Sequence, residues 1–207
     1  RIRTVDSQGS RRHAGEILSM KDLSLSVLDL TQNALSAGAS LVEVTIEEDT
    51  VGDRLSLTVE DNGRGMDAEL VSKVVSPFVT GRTTRKVGLG IPLFKEASEA
   101  CEGEFSLTSD PGVGTRISGW YRLSHIDRPP MGDMAGTLQT LILMNPERNF
   151  VWKQTRDGRE FSLDTRQIRE IVGPDVPLDG PDMTAWFAQT IPEGVKSLYG
   201  GSTHEIY

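Results

Sequence analysis

Asp29 and Asn33 stand four residues apart, and two glycine-bearing blocks follow, Asp61-Asn62-Gly63-Arg64-Gly65-Met66 and Gly88-Leu89-Gly90. On a helix, positions i and i+4 stack along one face, so this acid and this amide would point into one cleft. There Asn33 can offer a neutral carbonyl oxygen to a hard cation, and Asp29 can orient or deprotonate a water or an acceptor. Asp61 follows a strand-like run, where a carboxylate can accept a hydrogen bond from a base amino group. Gly63 and Gly65 would keep side chains out of the base's path, and Met66 would supply apolar contact. Gly88 and Gly90 at a helix start can expose backbone N–H groups to phosphate oxygens, helped by the positive end of the helix dipole. Each block alone reads equally as ordinary structure: solvated helix residues, an Asx turn, a glycine-rich helix entry. Together, in this order, they describe a pocket for a nucleotide with a phosphate chain, and ATP is the most economical such ligand.

The elements that must position these residues are visible in the periodicity. Leu23, Val27, Leu30 and Ala34 recur at helical steps from Lys21 to Ala37, with Gly38 as a C-terminal stop. Leu41 to Glu48 and Arg54 to Glu60 read as two antiparallel strands, the second ending on the Asp61 block. After a short helix from Ala68 to Val75 comes a polar, basic stretch, Thr80-Gly81-Arg82-Thr83-Thr84-Arg85-Lys86-Val87, with the character of a lid. Gly88 opens a further helix reaching about Cys101. A hairpin follows, Glu104 to Ser109 and Thr115 to Leu123, around Asp110-Pro111-Gly112-Val113-Gly114.

Asp127-Arg128-Pro129-Pro130 breaks the pattern, and residues 125–133 are expected to link a 20–124 domain to a small helix–hairpin–helix unit over 134–173. In that unit a helix spans Met134 to Met144. Strands Phe150 to Arg156 and Arg159 to Leu163 meet at Asp157-Gly158, a strong hairpin signal, before a helix from about Thr165 to Val172. Residues 174–207 mix Pro, Gly and Asp around Met183, Trp186 and Phe187 and read as a partly ordered tail, with Trp186/Phe187 as a core anchor or a docking site.

Composition narrows the function classes. The 207 residues are 37% hydrophobic and 25% charged, ordinary for a soluble globular protein. A net charge of -8 argues against whole-surface binding to nucleic acid or anionic membrane. Cys101 stands alone and His13, His125 and His204 are far apart, so neither a disulfide nor a Cys/His metal set is expected, and a reducing cytoplasm fits. No apolar run approaches a membrane span or the core of a secretory signal. Residues 1–19 carry four Arg against Asp6 and Glu16 and read either as a tag or upstream readthrough, with Met20 the native start, or as a basic arm.

From about Lys21 to Leu123 these residues resemble the GHKL superfamily of gyrase B, heat-shock chaperones, sensor histidine kinases and MutL proteins. Asp-Leu-Thr-Gln-Asn-Ala-Leu-Ser-Ala-Gly-Ala from Asp29 is similar to the N box, Asp61 to Met66 to the first glycine box, and Gly88-Leu89-Gly90-Ile91 to the second. Gly112-Val113-Gly114-Thr115 is similar to the late turn whose Thr helps bind adenine, and Phe78 sits where kinases carry the F box. The resemblance implies an α/β (α+β) two-layer sandwich, the Bergerat fold, here with a small C-terminal αββα extension. It implies ATP between helices and lid, magnesium on Asn33, Asp29 as the catalytic group, and nucleotide contacts from Ala37, Asp61, Gly63, Gly65, Met66, the Thr80 to Ile91 stretch and Thr115.

MutL and gyrase usually carry Glu at the position of Asp29. The shorter Asp sets the carboxylate one methylene back, so a slow ATPase, or a kinase using a protein acceptor, fits better than an efficient hydrolase. His13 lacks the long helical pattern of a phosphoacceptor, so a separate protein partner would supply one. The leading expectation is therefore a magnesium-dependent, stand-alone histidine kinase-like protein in the cytoplasm, compatible with a homodimer. One alternative is a nucleotide-gated protein-binding module without significant turnover. The other is a MutL-like DNA-repair ATPase, for which Asn145-Pro146-Glu147 and its hairpin are faintly similar to a transducer start. In that case Lys153 would serve as phosphate sensor only if the hairpin folds back over the lid.

Overall fold

The computed structural model describes residues 22–75 and 89–200. Helix α1 (Leu23–Ser36) begins where the Asp22 carboxylate accepts the Leu25 N–H at 2.9 Å. Its stripe of Leu23, Val27, Leu30 and Ala34 is buried, as the helical spacing predicts. It ends with Gly38 at φ +84°, the Gly38 N–H donating to Leu35 C=O and the Ala39 N–H to Ala34 C=O. That pair of bonds satisfies carbonyls the helix end would otherwise orphan, and the positive φ explains why glycine stands there.

Strands β1 (Leu41–Asp49) and β2 (Arg54–Asp61) pair antiparallel, Val42 opposite Asp61. Helices α2 (Ala68–Val75) and α3 (Gly90–Ala100) lead to the hairpin β3 (Glu104–Asp110) and β4 (Gly114–Arg122). Beyond it lie α4 (Met134–Met144), the hairpin β5 (Asn149–Arg156) and β6 (Arg159–Asp164), α5 (Thr165–Val172) and α6 (Pro181–Leu198). The β5–β6 turn has φ +47° at Asp157 and +83° at Gly158, the paired positive values that a two-residue hairpin of matching twist requires.

All six strands form one mixed sheet in the order β3-β4-β2-β1-β5-β6, with β5 parallel to β1 and Val42 opposite Phe150. The helix–hairpin–helix stretch thus continues the sheet that residues 41–122 build and shares its core. Val42, Val44 and Ile46, Leu55, Leu57 and Val59, Ile117 and Tyr121, and Phe150 and Trp152 all face the helices. The opposite face carries Thr45, Thr58, Ser118 and Lys153, so the architecture is a two-layer α/β sandwich with one polar sheet face.

Residues 129–133, expected as a linker, are docked on α1. The Leu23 N–H donates to Pro130 C=O at 2.9 Å and the Ser24 N–H to Met131 C=O at 3.1 Å. Two donors at the helix start are thereby satisfied by backbone. Gly132, at φ +72°, lies so close to Asp22 that a Cβ would come 2.5 Å from its carboxylate oxygen.

The largest departure from the sequence reading is α6, an eighteen-residue helix in the stretch expected to be partly ordered. Pro192 removes one donor inside it, but Met183, Phe187, Ile191, Val195 and Leu198 bury a continuous stripe, so tertiary packing overrides local propensity. Gly194 permits the approach to β6: a Cβ there would sit 2.2 Å from the Phe161 ring. Of the two aromatic residues, Phe187 is fully buried, as a core anchor would be, and Trp186 is 44% exposed. Phe187→Ala should therefore cost about 3–5 kcal/mol through the cavity it leaves. Trp186→Ala should cost about 1 kcal/mol, mainly through the lost edge-to-face ring contact. Urea unfolding of the two variants measures the difference.

Candidate nucleotide site

The end of the sheet formed by the start of β1, the end of β2 and the start of β4 gathers the residues with chemistry. Asp61 closes β2 opposite Thr115 of β4, so both side chains leave the sheet on the helix side. The Asp61 carboxylate accepts the Gly63 N–H at 2.7 Å and also the Thr115 N–H. Burial nevertheless wins over these two donors and raises its pKa above the ordinary carboxylate value. A half-buried acceptor held by backbone, with capacity left to accept, suits the exocyclic amine of a base.

The loop after Asp61 is fixed from two sides. The Asn62 side chain accepts the N–H groups of Ser40 and Leu41 at 2.9 and 3.0 Å and donates to Ser40 Oγ at 2.8 Å. The Arg64 N–H donates to Ala37 C=O at 3.0 Å. The end of α1, which carries Asn33, and the loop that carries Asp61 are thus one hydrogen-bonded unit. A Cβ on Gly63 would meet Ala37 at 3.1 Å, and one on Gly65, at φ +64°, would lie 1.9 Å from Asp110 C=O. Gly65 therefore serves the packing of the loop on the β3–β4 turn, where the Gly112 N–H also donates to Arg64 C=O at 2.7 Å. The same requirement recurs at Gly114, whose Cβ would lie 1.9 Å from Asp61 C=O.

On α1, Asp29 is exposed and Asn33 half-buried, one turn apart and off the stripe that faces the core. Gly90, in the first turn of α3, comes so near that a Cβ would lie 3.0 Å from Asp29 Cβ and 3.4 Å from its carboxylate oxygen. The carboxyl keeps access to solvent, yet desolvation raises its pKa. Leu89 is largely exposed and Ile91 is buried in the core, so of these two only Leu89 is open to a ligand. Met66 packs at the margin of the core, and its N–H donates to Ser109 Oγ at 2.8 Å. Phe78 and Thr80, Gly81, Arg82, Thr83, Thr84, Arg85, Lys86, Val87 and Gly88 lie outside the described residues.

Two residues that the sequence reading did not single out organise the site: Asn62, through the bonds above, and Ser109, which touches Met66, Gly114 and Thr115. Ser109 shares the inward parity of Phe105 and Leu107 on β3, a signal available in the alternation but without a partner until the hairpin closes. Lys153 is not at this site: it pairs with Glu160 at 3.3 Å on the polar sheet face, away from α1. That face also holds an open concavity of about 340 Å³ at the same end of the sheet, sharing Asp61 and Thr115 with the candidate site. Glu43, Glu60 and Asp110 line it together with Arg116, which pairs with Glu60, so its net charge is negative and wrong for a phosphate chain.

The donor set fits a magnesium nucleotide. Asp61 and Thr115 could meet a base, the Gly63 loop keeps Ala37 and the backbone close, and Asn33, whose backbone C=O accepts the Ala37 N–H while its side-chain amide has no hydrogen-bond partner among the described residues, could offer that amide oxygen to a hard cation. Among the described residues no three His, Cys, Asp or Glu side chains converge as a metal cage, and no helix there is long and apolar enough to cross a membrane.

Parts of the chain are similar to known sensor proteins. The chain is 34% identical over 90 residues to the alginate biosynthesis sensor protein KinB of Pseudomonas aeruginosa, an alignment covering 43% of this chain and 15% of that protein. It is 36% identical over 102 residues to the sensor protein kinase FleS of the same species, covering 49% of this chain and 25% of that one. The chain thus spans about a quarter or less of these relatives. Among solved structures, the Aquifex aeolicus MutL ATPase domain complexed with ADP is similar at a TM-score of 0.48 and 19% identity, over 74% of this chain and 69% of that one. Residues 20–125, which contain Asp29, Asn33, Asp61 and Thr115, match the family of histidine kinase-, DNA gyrase B-, and HSP90-like ATPases, and the chain belongs to that family.

Proposed function

We propose that this chain binds magnesium-ATP at the Asp61 end of the sheet and acts as a kinase or slow ATPase together with a separate protein partner. The observation that supports the reading is the Asp61 carboxylate, pinned by the Gly63 and Thr115 N–H groups in a loop that is hydrogen-bonded to Ala37 at the end of α1, the helix that carries Asp29 and Asn33. In this reading Asp61 would accept from the adenine amine, Asn33 would hold magnesium, which would supply positive charge against the phosphates, and Asp29 would position the attacking oxygen and take its proton. The raised pKa of Asp29 suits a general base better than an ordinary carboxylate would. Asp29→Asn should therefore leave nucleotide affinity within about threefold of the original and lower turnover by about 100-fold or more, in line with loss of a general base. Phosphate release and nucleotide binding, measured on the same preparation, test this; equal loss of both would mean that Asp29 holds the nucleotide rather than the reacting water or acceptor.

A second reading, a nucleotide-gated binding module, draws support from the docking of residues 130 and 131 on the start of α1. The helix that would carry the magnesium ligand is thereby tied to the segment entering α4, so a shift of α1 on nucleotide binding would reach the surface built by α4 and α6. Asp29→Asn would leave partner capture intact under this reading.

A further inference from the structure

Thr115 Oγ1 lies 2.9 Å from Ser109 Oγ, and distance alone does not say which hydroxyl donates. The other partners of Ser109 decide it. Ser109 Oγ lies 2.9 Å from Gly114 C=O, which can only accept, so the single Ser109 proton goes there. Ser109 Oγ already accepts the Met66 N–H at 2.8 Å, and its remaining lone pair faces Thr115. The consistent assignment has Thr115 donating to Ser109, which leaves only lone pairs on Thr115 Oγ1 for a ligand. Thr115 is 8% exposed and stands directly opposite Asp61.

We propose that Ser109 is a positioning residue for base selection: by consuming the Thr115 hydroxyl proton it makes Thr115 a pure acceptor beside the acceptor Asp61, so the site favours a base with an exocyclic amine over a 6-oxo base. This rests on the nucleotide reading of the site given above. A 6-oxo purine would set a carbonyl oxygen against two acceptors, and a buried acceptor pair without a donor is costly. With Ser109 removed, the Thr115 hydroxyl is free to turn and donate to a 6-oxo group. The sequence block around Thr115 offers no hint of this, because the direction of the hydroxyl is set across the hairpin.

The test is the ratio of dissociation constants for magnesium-ITP and magnesium-ATP, measured by calorimetry. In Ser109→Ala the preference for ATP should shrink by about tenfold, mostly through tighter ITP binding. Ser109→Thr, which keeps the hydroxyl, should restore the original ratio. Loss of the Met66 contact alone would weaken both nucleotides equally and leave the ratio unchanged, and that result would overturn the proposal while leaving the nucleotide site standing. Thr115→Val gives a second route, since it removes the acceptor itself: an unaltered ratio there would also overturn the proposal. If the unmodified protein binds neither nucleotide, both the site reading and this proposal fall.

Discussion

Asp61→Asn is expected to abolish the stabilisation of the protein by magnesium-ATP, lowering affinity by about 100-fold or more. Two backbone N–H groups, of Gly63 and Thr115, already point at this carboxylate. An amide in its place must turn its NH2 either toward those donors or toward the base amine, and each choice sets donor against donor. The fold should survive, because burial opposes the charged form of Asp61 and the amide carries no charge. Unliganded melting temperatures of the two proteins therefore stay close while their responses to ATP diverge.

The raised pKa of Asp61 adds a pH signature of known sign. In the folded, unliganded protein Asp61 holds its proton to a higher pH than in the unfolded chain, so its contribution to stability is present below the unfolded pKa and lost as pH rises through the folded one. If the proposed site holds the nucleotide through the Asp61 carboxylate, binding runs the other way: affinity should fall on acidification, beginning above the ordinary carboxylate range. Asp61→Asn should show no such limb.

Gly65→Ala is the second large effect, a loss of at least about 3 kcal/mol of stability by urea unfolding. Gly65 has φ +64°, and an added Cβ would lie 1.9 Å from Asp110 C=O, inside the atom rather than against it. The loop would have to leave the hairpin, breaking the 2.7 Å bond from the Gly112 N–H to Arg64 C=O. Gly112 supplies the comparison: its φ is +77° and nothing lies within 4 Å of a Cβ there. Gly112→Ala should thus show only the conformational cost of left-handed backbone, about 1–2 kcal/mol. Equal effects at the two glycines would mean that the loop does not rest on the turn.

The contrast between these glycines also shows what the sequence can and cannot reveal. The glycines of the Asp61 block are legible as a motif, but the reason for Gly65 is the backbone of a hairpin more than forty residues later. Helix α1 and the first two hairpins follow local periodicity and turn chemistry, which is why Leu23, Val27, Leu30 and Ala34 announce a buried stripe. The parallel pairing of β5 with β1 has no local signature, since it joins residues about a hundred positions apart, and so the second half reads from sequence as a separate unit. Helix α6 is hidden by Pro192 and Gly194, whose propensities are outweighed by five buried apolar side chains. At the site, Asp29, Asn33 and Asp61 stand out because their types are chemical. Asn62 and Ser109 do not, because their importance lies in which backbone groups they reach.

The central claim is a magnesium-nucleotide pocket at the Asp61 end of the sheet, and thermal unfolding with magnesium and ATP, ADP or a non-hydrolysable analogue tests it most directly. A ligand at 100 times its dissociation constant stabilises by about 2.7 kcal/mol, enough to move a melting temperature by several degrees. A saturable rise with ATP that requires magnesium is expected. No rise with any nucleotide, at concentrations reaching several millimolar, would contradict it.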